Sequence, residues 1–343
     1  MANIGVDVGG TFTDLILESE SIGGNSAGVI VHKVPSTPED QSIAVIRGIT
    51  EICEMAGVAL GDIKKVVHGT TIATNAVIEY DGAEVGMLTT RGFRDILLLA
   101  RGKRPHNFSM QFDVPWQSKP LVKRRNRIVI SERILPPDGR IEVALDEDEV
   151  RAAAELLKKR GVDAVIICFI YSFLNNTHEQ RAKEIVQEIL PETYVSCSSE
   201  IADVIREYER FSTAAMNAFI GPRTSFYLRN LQSALRNEGV KAEIRVMQSN
   251  GGITTIEGGS ERPVTILMSG PAGGVIGGKW AGDLSGVENL ITVDIGGTSA
   301  DISVVPGGEV RIMNPRDTNV GGYPILVPMI DLTTIGAGGG SIA

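Results

Sequence analysis

The residues best suited to chemistry lie in two copies of one eight-residue pattern. Asp7-Val8-Gly9-Gly10-Thr11-Phe12-Thr13-Asp14 and Asp294-Ile295-Gly296-Gly297-Thr298-Ser299-Ala300-Asp301 agree at five of eight positions. Paired glycines leave backbone N–H groups uncovered, so an anion can approach with no Cβ in the way. Threonine hydroxyls can donate to phosphate oxygens. An aspartate that ends a strand before such a turn can hold Mg²⁺, usually through water, or orient an attacking oxygen. Two such turns facing each other would clamp a polyphosphate. Gly9, Gly10, Thr11 and Thr13 would cradle it from one side and Gly296, Gly297 and Thr298 from the other, with Asp7 and Asp294 as the metal-positioning and catalytic carboxylates. Asp14 and Asp301 are expected to brace the turns. Two ordinary hairpins with Gly-Gly turns are the alternative.

A second group is His68, Thr70, Thr71 and Asn75. A strand ending in His-Gly-Thr-Thr before a helix N-terminus suits an anion or a substrate. Helix capping by Thr70 or Thr71 beside a packed histidine explains it equally well. The run Arg206-Glu207-Tyr208-Glu209-Arg210 has the spacing of helical ion pairs on a solvated face.

The elements around these residues alternate. Residues 3–18 read as a hairpin and 29–34 as a third strand. A helix follows, with Thr37 as N-cap, Pro38 at its first position and Gly57 closing it. Strands are expected at 65–67, 85–89, 164–169, 194–197 and 244–247. Helices are expected at 93–99, from Asp146 to Arg160, at 178–190, 203–219 and 222–237, and from Ser269 to about Ala281. Asp146 with Glu149 three residues on makes a capping box. The run Ala164 to Phe169 is apolar enough to be buried on both faces. Residues 101–145 break the rhythm and read as an insertion of short strands and loops. Its basic residues form either a solvated face or an anion-attracting wall. The whole is α/β with mixed sheets. No GxGxxG follows the first strand, so a dinucleotide fold is disfavoured.

At 343 residues the chain suits two domains or one large one. A net charge of −9 argues against a general nucleic-acid role. Three scattered cysteines, Cys53, Cys168 and Cys197, fit a reducing cytoplasm and buried apolar roles. No apolar run reaches transmembrane length and no signal peptide is visible.

The two hairpins resemble the phosphate motifs of the actin, Hsp70 and sugar-kinase ATPase superfamily, in which a small-residue helix precedes the second turn. Gly270 to Gly278 stands in that place. More closely, the chain is similar throughout to the hydantoinase/oxoprolinase family, A-subunit type, which includes relatives of acetone and acetophenone carboxylase subunits. Asp7 to Asp14, His68 to Thr71 with Asn75, Arg91 to Phe93, Ser198 to Glu200, Arg206 to Arg210, Met247 to Gly252, Ser269 to Gly274, Asp294 to Asp301 and Thr334 to Ala343 carry the similarity. The resemblance implies an actin-like (ribonuclease H-like) fold in two lobes, the second incomplete because family members usually continue past the last glycines. The N-terminal family domain would cover 1–200 and the start of the A domain 201–343. It implies ATP and Mg²⁺ as cofactors, with Gly336, Gly338, Gly339 and Gly340 near nucleotide. The implied activity is phosphorylation of the carbonyl oxygen of a cyclic amide for ring opening, with a hydantoinase B-type subunit as partner. A ketone carboxylase subunit and a nucleotide-switched binding protein are the alternatives.

Overall fold

The computed structural model describes residues 2–22, 28–37, 39–102, 113–296, 300–335 and 337–340. The expected helix position of Pro38, the phosphate contacts of Gly297 and Thr298, the glycine Gly336 and the basic residues Lys103 and Arg104 lie outside them. The chain forms two compact units that are discontinuous in sequence. The first comprises Met1–Thr74, Thr224–Asn314 and Pro328–Ala343, the second Asn75–Arg223 and Pro315–Val327.

The first unit holds a six-stranded mixed sheet in the spatial order Ile253–Thr255, Glu243–Met247, Ile63–Thr70, Ala2–Val8, Phe12–Ser19, Gly28–Pro35. Ala2–Val8 pairs antiparallel with Phe12–Ser19 and parallel with Ile63–Thr70. Strand alternation sorts its side chains. Ile4, Val6 and Val8 bury on the face that carries Leu15, Leu17 and Val34. Against that face packs the helix Gln41–Ala56, through Val45, Ile49, Ile52 and Cys53. Asp7 therefore emerges on the opposite face. The helix is capped by Asp40, which accepts from Ser42 N–H at 3.0 Å, not by Thr37 as expected. Thr37 instead accepts from Ala44 N–H at 3.2 Å. Gly57 closes the helix at φ 66°, a conformation that favours glycine.

A second, three-stranded antiparallel sheet in this unit runs Leu290–Ile295, Ala300–Val305, Thr333–Ile335. Its outer strand leaves Ile291 and Val293 exposed at 65% and 56%, where a half-buried strand would show one covered face.

The second unit is built on a four-stranded parallel sheet, Tyr194–Cys197, Ala164–Cys168, Val85–Thr90, Arg127–Ile130. Ala164–Cys168 is buried at every position, as its apolar run predicts. Helices Glu147–Lys159 and Thr177–Ile189 contribute Val150, Leu157, Ile185 and Val186 to the core against it. Asp146 caps the first of these, accepting from Glu149 N–H at 2.9 Å. The Glu149 carboxylate does not complete the box; it accepts from Ser131 N–H and pairs with Arg91.

Residues 101–145 supply the edge strand Arg127–Ile130, so part of this segment belongs to the sheet itself. Its described basic residues mostly meet acids. Lys123 and Arg125 pair with Glu84, Arg124 with Asp95, and Arg101 with Glu209. The expected helices 203–219 and 222–237 are one helix, Glu207–Asn237, with Pro222 inside. Arg210 is not on a solvated face. It is fully buried and donates to Phe169 O at 2.7 Å and Ser198 Oγ at 3.1 Å. Glu179, also fully buried, accepts from both hydroxyls of Ser198 and Ser199 at 2.7 Å. The three cysteines are unpaired and buried. Among the described residues no helix is long and apolar enough to cross a membrane.

Candidate functional site

Both hairpins belong to the first unit, and the helix Ser269–Leu284 packs against each of them there. Its glycines recur every fourth residue at Gly270, Gly274, Gly278 and Gly282, which places them along one helical stripe. A Cβ on Gly278 or Gly282 would collide with Thr292 or Leu290 of the outer strand. At Gly274 a Cβ would stand 3.6 Å from Asp294 Oδ2. At Gly270 it would stand 3.2 Å from Asp7 Oδ1. The stripe thus seats the helix between the two aspartates.

The opening strand sets the other wall. Asp7 is the register partner of Gly69 in the parallel ladder. A Cβ on Gly69 would lie 2.9 Å from Asp7 Oδ1. Ser269 fastens the helix start to this strand, accepting from Thr70 N–H at 3.2 Å and donating to Thr70 O at 2.8 Å. A groove of about 390 Å³ contains Asp7, Asp14, Gly69, Gly270 and Gly274. A second groove of about 410 Å³ contains Asp294, Asp301 and again Gly274. Asp7 meets solvent, yet surrounding protein displaces much of its water. That desolvation first, then the charge of Asp294, then that of Asp14, push its carboxyl up to about 6. Burial, and then Asp294, also raise Asp301, against the bond from Thr334 Oγ1 at 2.5 Å.

The expected site residues separate into those near this centre and those used by the fold. Gly10 has open space where a Cβ would stand, and Thr11 is exposed beside it. Gly9 spends its N–H on Phe12 O at 3.0 Å. Thr13 is buried; its hydroxyl meets Ser36 Oγ at 3.0 Å, and Ser36 donates to Gly9 O at 2.8 Å. Thr13 braces the turn and does not face the groove. Gly339 N–H donates to Gly296 O at 2.9 Å, which brings the glycine-rich segment with Gly338 and Gly340 beside the second turn.

His68 is fully buried on the core face, with its Nε2 2.8 Å from Tyr227 Oη. Burial holds its pKa down at about 4. Thr70 Oγ1 accepts from Ile72 N–H at 3.2 Å at the start of the helix Ile72–Ile78. Thr71 Oγ1 donates to Val8 O at 3.2 Å. In these contacts His68 packs in the core, Thr70 caps a helix start and Thr71 bonds Val8 O, while Asn75 falls in the second unit. The sequence did not assign Gly69, Ser269, Gly270 or Gly274 to the site. For Gly270 and Gly274 the signal was the four-residue glycine repeat.

Fold and site together define a mixed α/β protein in which a glycine-striped helix sits between two Asp-Gly-Gly hairpins. Residues 3–190 match the hydantoinase/oxoprolinase N-terminal region, and 210–343 match hydantoinase/oxoprolinase. The chain belongs to the hydantoinase/oxoprolinase family. It is 38% identical to the caprolactamase subunit alpha of Pseudomonas jessenii, over 99% of this chain and 48% of that protein. The solved ATP-dependent caprolactamase from the same organism matches with a TM-score of 0.85 at 36% identity, over 99% of this chain and 49% of that one. Nucleotide-free acetone carboxylase matches with a TM-score of 0.87 at 26% identity, over 98% and 48%. The chain therefore spans about half the length of these relatives.

Proposed function

We propose that this chain carries the phosphate-handling part of an ATP-dependent amidohydrolase that activates the carbonyl oxygen of a cyclic amide (a hydantoin, 5-oxoproline or a lactam) for ring opening. The observation that carries this reading is the crowding of like charge at Asp7, with Asp294 and Asp14 both raising its pKa. A site that gathers carboxylates at such a cost fits a cation brought in with a polyphosphate. No group of three His, Cys, Asp or Glu ligands occurs among the described residues. Mg²⁺ keeps several waters and takes one or two carboxylates. Asp7 and Asp294 would hold it.

ATP with Mg²⁺, when bound, would supply the phosphoryl group and screen the developing charge. The chain's own residues then have separate tasks. Gly10 and Thr11 leave backbone open to phosphate oxygens, and Gly296, Gly297 and Thr298 are the proposed phosphate contacts from the second hairpin. Gly69, Gly270 and Gly274 allow the two aspartates to stand close to the helix start. Asp14 and Asp301 stand opposite them across the two hairpins. The mixed sheets and paired hairpins accord with an actin-like ATPase fold. A hydantoinase B-type subunit is the proposed partner for the hydrolytic step, since the caprolactamase and carboxylase relatives are themselves named subunits.

The likeness to acetone carboxylase supports a second reading, in which ATP activates a ketone and bicarbonate at the same aspartates. Phosphate release from ATP and Mg²⁺ by the protein with its co-expressed partner distinguishes the two. Stimulation by lactams, hydantoins or 5-oxoproline supports amide opening; stimulation only by a ketone with bicarbonate replaces it. Asp294→Ala should lower turnover by on the order of 100-fold, as removal of a transition-state contact does. Unchanged turnover in that variant would remove Asp294 from the mechanism.

A further inference from the structure

In the second unit Arg127 opens the edge strand and is only 2% exposed. Its Nε and Nη2 both donate to Val122 O, at 3.0 and 2.8 Å. Its Nη1 is buried and has no acceptor. A guanidinium cannot shed its proton to escape burial. Among the described residues no carboxylate lies within ion-pair reach of it. Asp95, whose field reaches Arg127, is held by Arg124 through bonds of 2.8 and 2.9 Å. Arg94 and Arg124 add further positive charge near it. Three guanidiniums thus share one carboxylate.

A second orphan donor belongs to a residue of the same small cavity. Trp116 Nε1 is buried and also lacks an acceptor. Arg127 and Trp116 line one small cavity, together with Tyr208, Ser212, Tyr323 and the apolar Leu97. It has room for about one water-sized group. Burial pushes the Tyr208 hydroxyl up to about 12, which keeps it protonated. A water would satisfy the hydrogen-bond donors and leave the charge uncompensated. A small anion answers both, and unpaired buried charge is the costlier defect.

We propose that the cavity beneath Arg127 and Trp116 is a binding site for a compact monovalent anion, with Arg127 as its counter-charge and Trp116 as a second donor. It is separate from the aspartate centre, and its existence does not depend on the amidohydrolase reading. The size of the cavity confines the occupant to a single atom, a halide such as chloride.

The test is thermal unfolding of the whole chain in bromide at constant ionic strength, with formate as an oversized control and gluconate as the bulky balance. A crystal grown in bromide would locate the ion by anomalous scattering. The expected result is a saturable rise in Tm, with bromide density at Arg127 Nη1. Arg127→Met should weaken the response by about tenfold or more, as loss of a charge-assisted partner does. Trp116→Phe keeps the charge and should weaken it several-fold. Should Arg127→Met fail to fold, Trp116→Phe and the bromide position decide. A response to formate equal to or stronger than that to bromide would overturn the assignment, since formate exceeds the cavity. Absence of saturation, identical responses in wild type and Trp116→Phe, or bromide located elsewhere would overturn the proposal.

Discussion

Asp7 stands directly opposite Asp14 across the opening hairpin, and Asp294 repeats the relationship with Asp301 in the second. Like charges in that position destabilise a hairpin. Asp14 is partly relieved by Lys33 at 2.9 Å, an exposed pair of small worth. Asp7 is left with the repulsion.

The first prediction concerns pH. The folded pKa of Asp7 is raised to about 6 from 3.8. Between those values the folded state binds more protons than the unfolded chain, so stability falls as pH rises through this window. Asp7→Asn should therefore raise Tm at pH 7 and have little effect near pH 4. Asp14→Asn and Asp294→Asn should each lower the Asp7 pKa, read by carboxyl NMR, with the larger shift from Asp294. An Asp7 pKa near 4 in wild type would contradict the charge crowding.

A methyl group at position 69 should act on the site more than on the fold. In Gly69→Ala the new Cβ presses on Asp7 Oδ1 and on little else, with Gly270 Cα next at 3.7 Å. Overpacking of this kind costs about 1–3 kcal/mol. We expect a modest loss of Tm with Mg²⁺–ATP affinity reduced about tenfold or more, since small displacements of reacting groups are costly. Thermal unfolding and calorimetric titration of wild type and variant measure the two; unaltered affinity would show that Asp7 does not need its present position.

Thr13→Val separates bracing from phosphate contact. The substitution cuts the link from Thr13 through Ser36 to Gly9 O. A buried hydrogen bond contributes about 1 kcal/mol, so chemical denaturation should show a loss of that order. Nucleotide affinity should fall by no more than this stability change explains. Thr11→Val leaves the chain of bonds intact and should show the reverse pattern.

His68 sets an acid limit. Its pKa falls from 6.5 unfolded to about 4 folded. The unfolded state then takes up the proton first, so stability is complete above pH 6.5 and declines as pH drops toward 4. The shift corresponds to about 3 kcal/mol over that range. His68→Gln should flatten the acid limb of the stability profile while leaving ATP turnover near wild type at neutral pH. A large loss of turnover with an unchanged limb would return His68 to the chemistry.

Much of this was legible where a local rule acts alone. The alternation of Ile4, Val6 and Val8, the stop at Gly57, the Asp146 cap and the buried run at 164–168 follow from short-range sterics and capping. Parity misled where a strand end was misjudged. Ending the strand at Val67 freed His68 for a loop; the ladder continues to Thr70, and position 68 shares the buried face with Val66. Thr13 shares the buried face with Leu15 and Leu17 in the same way. Arg210 and Pro222 needed tertiary information, because burial overrides both charge and propensity. The glycine stripe was visible, but its meaning depends on which strands it meets.

The three cysteines have a practical consequence. Cys53 sits in the core of the first unit, Cys168 and Cys197 in that of the second. Burial pushes the Cys53 thiol up to about 11, and raises those of Cys168 and Cys197 well above their ordinary value. Only a thiolate reacts readily with an alkylating reagent, so the native molecule should be chemically silent at neutral pH. Each alkylation event then marks a moment of opening. Mass-resolved labelling would time the breathing of one core through a single thiol and of the other through a pair, with no probe added to the protein.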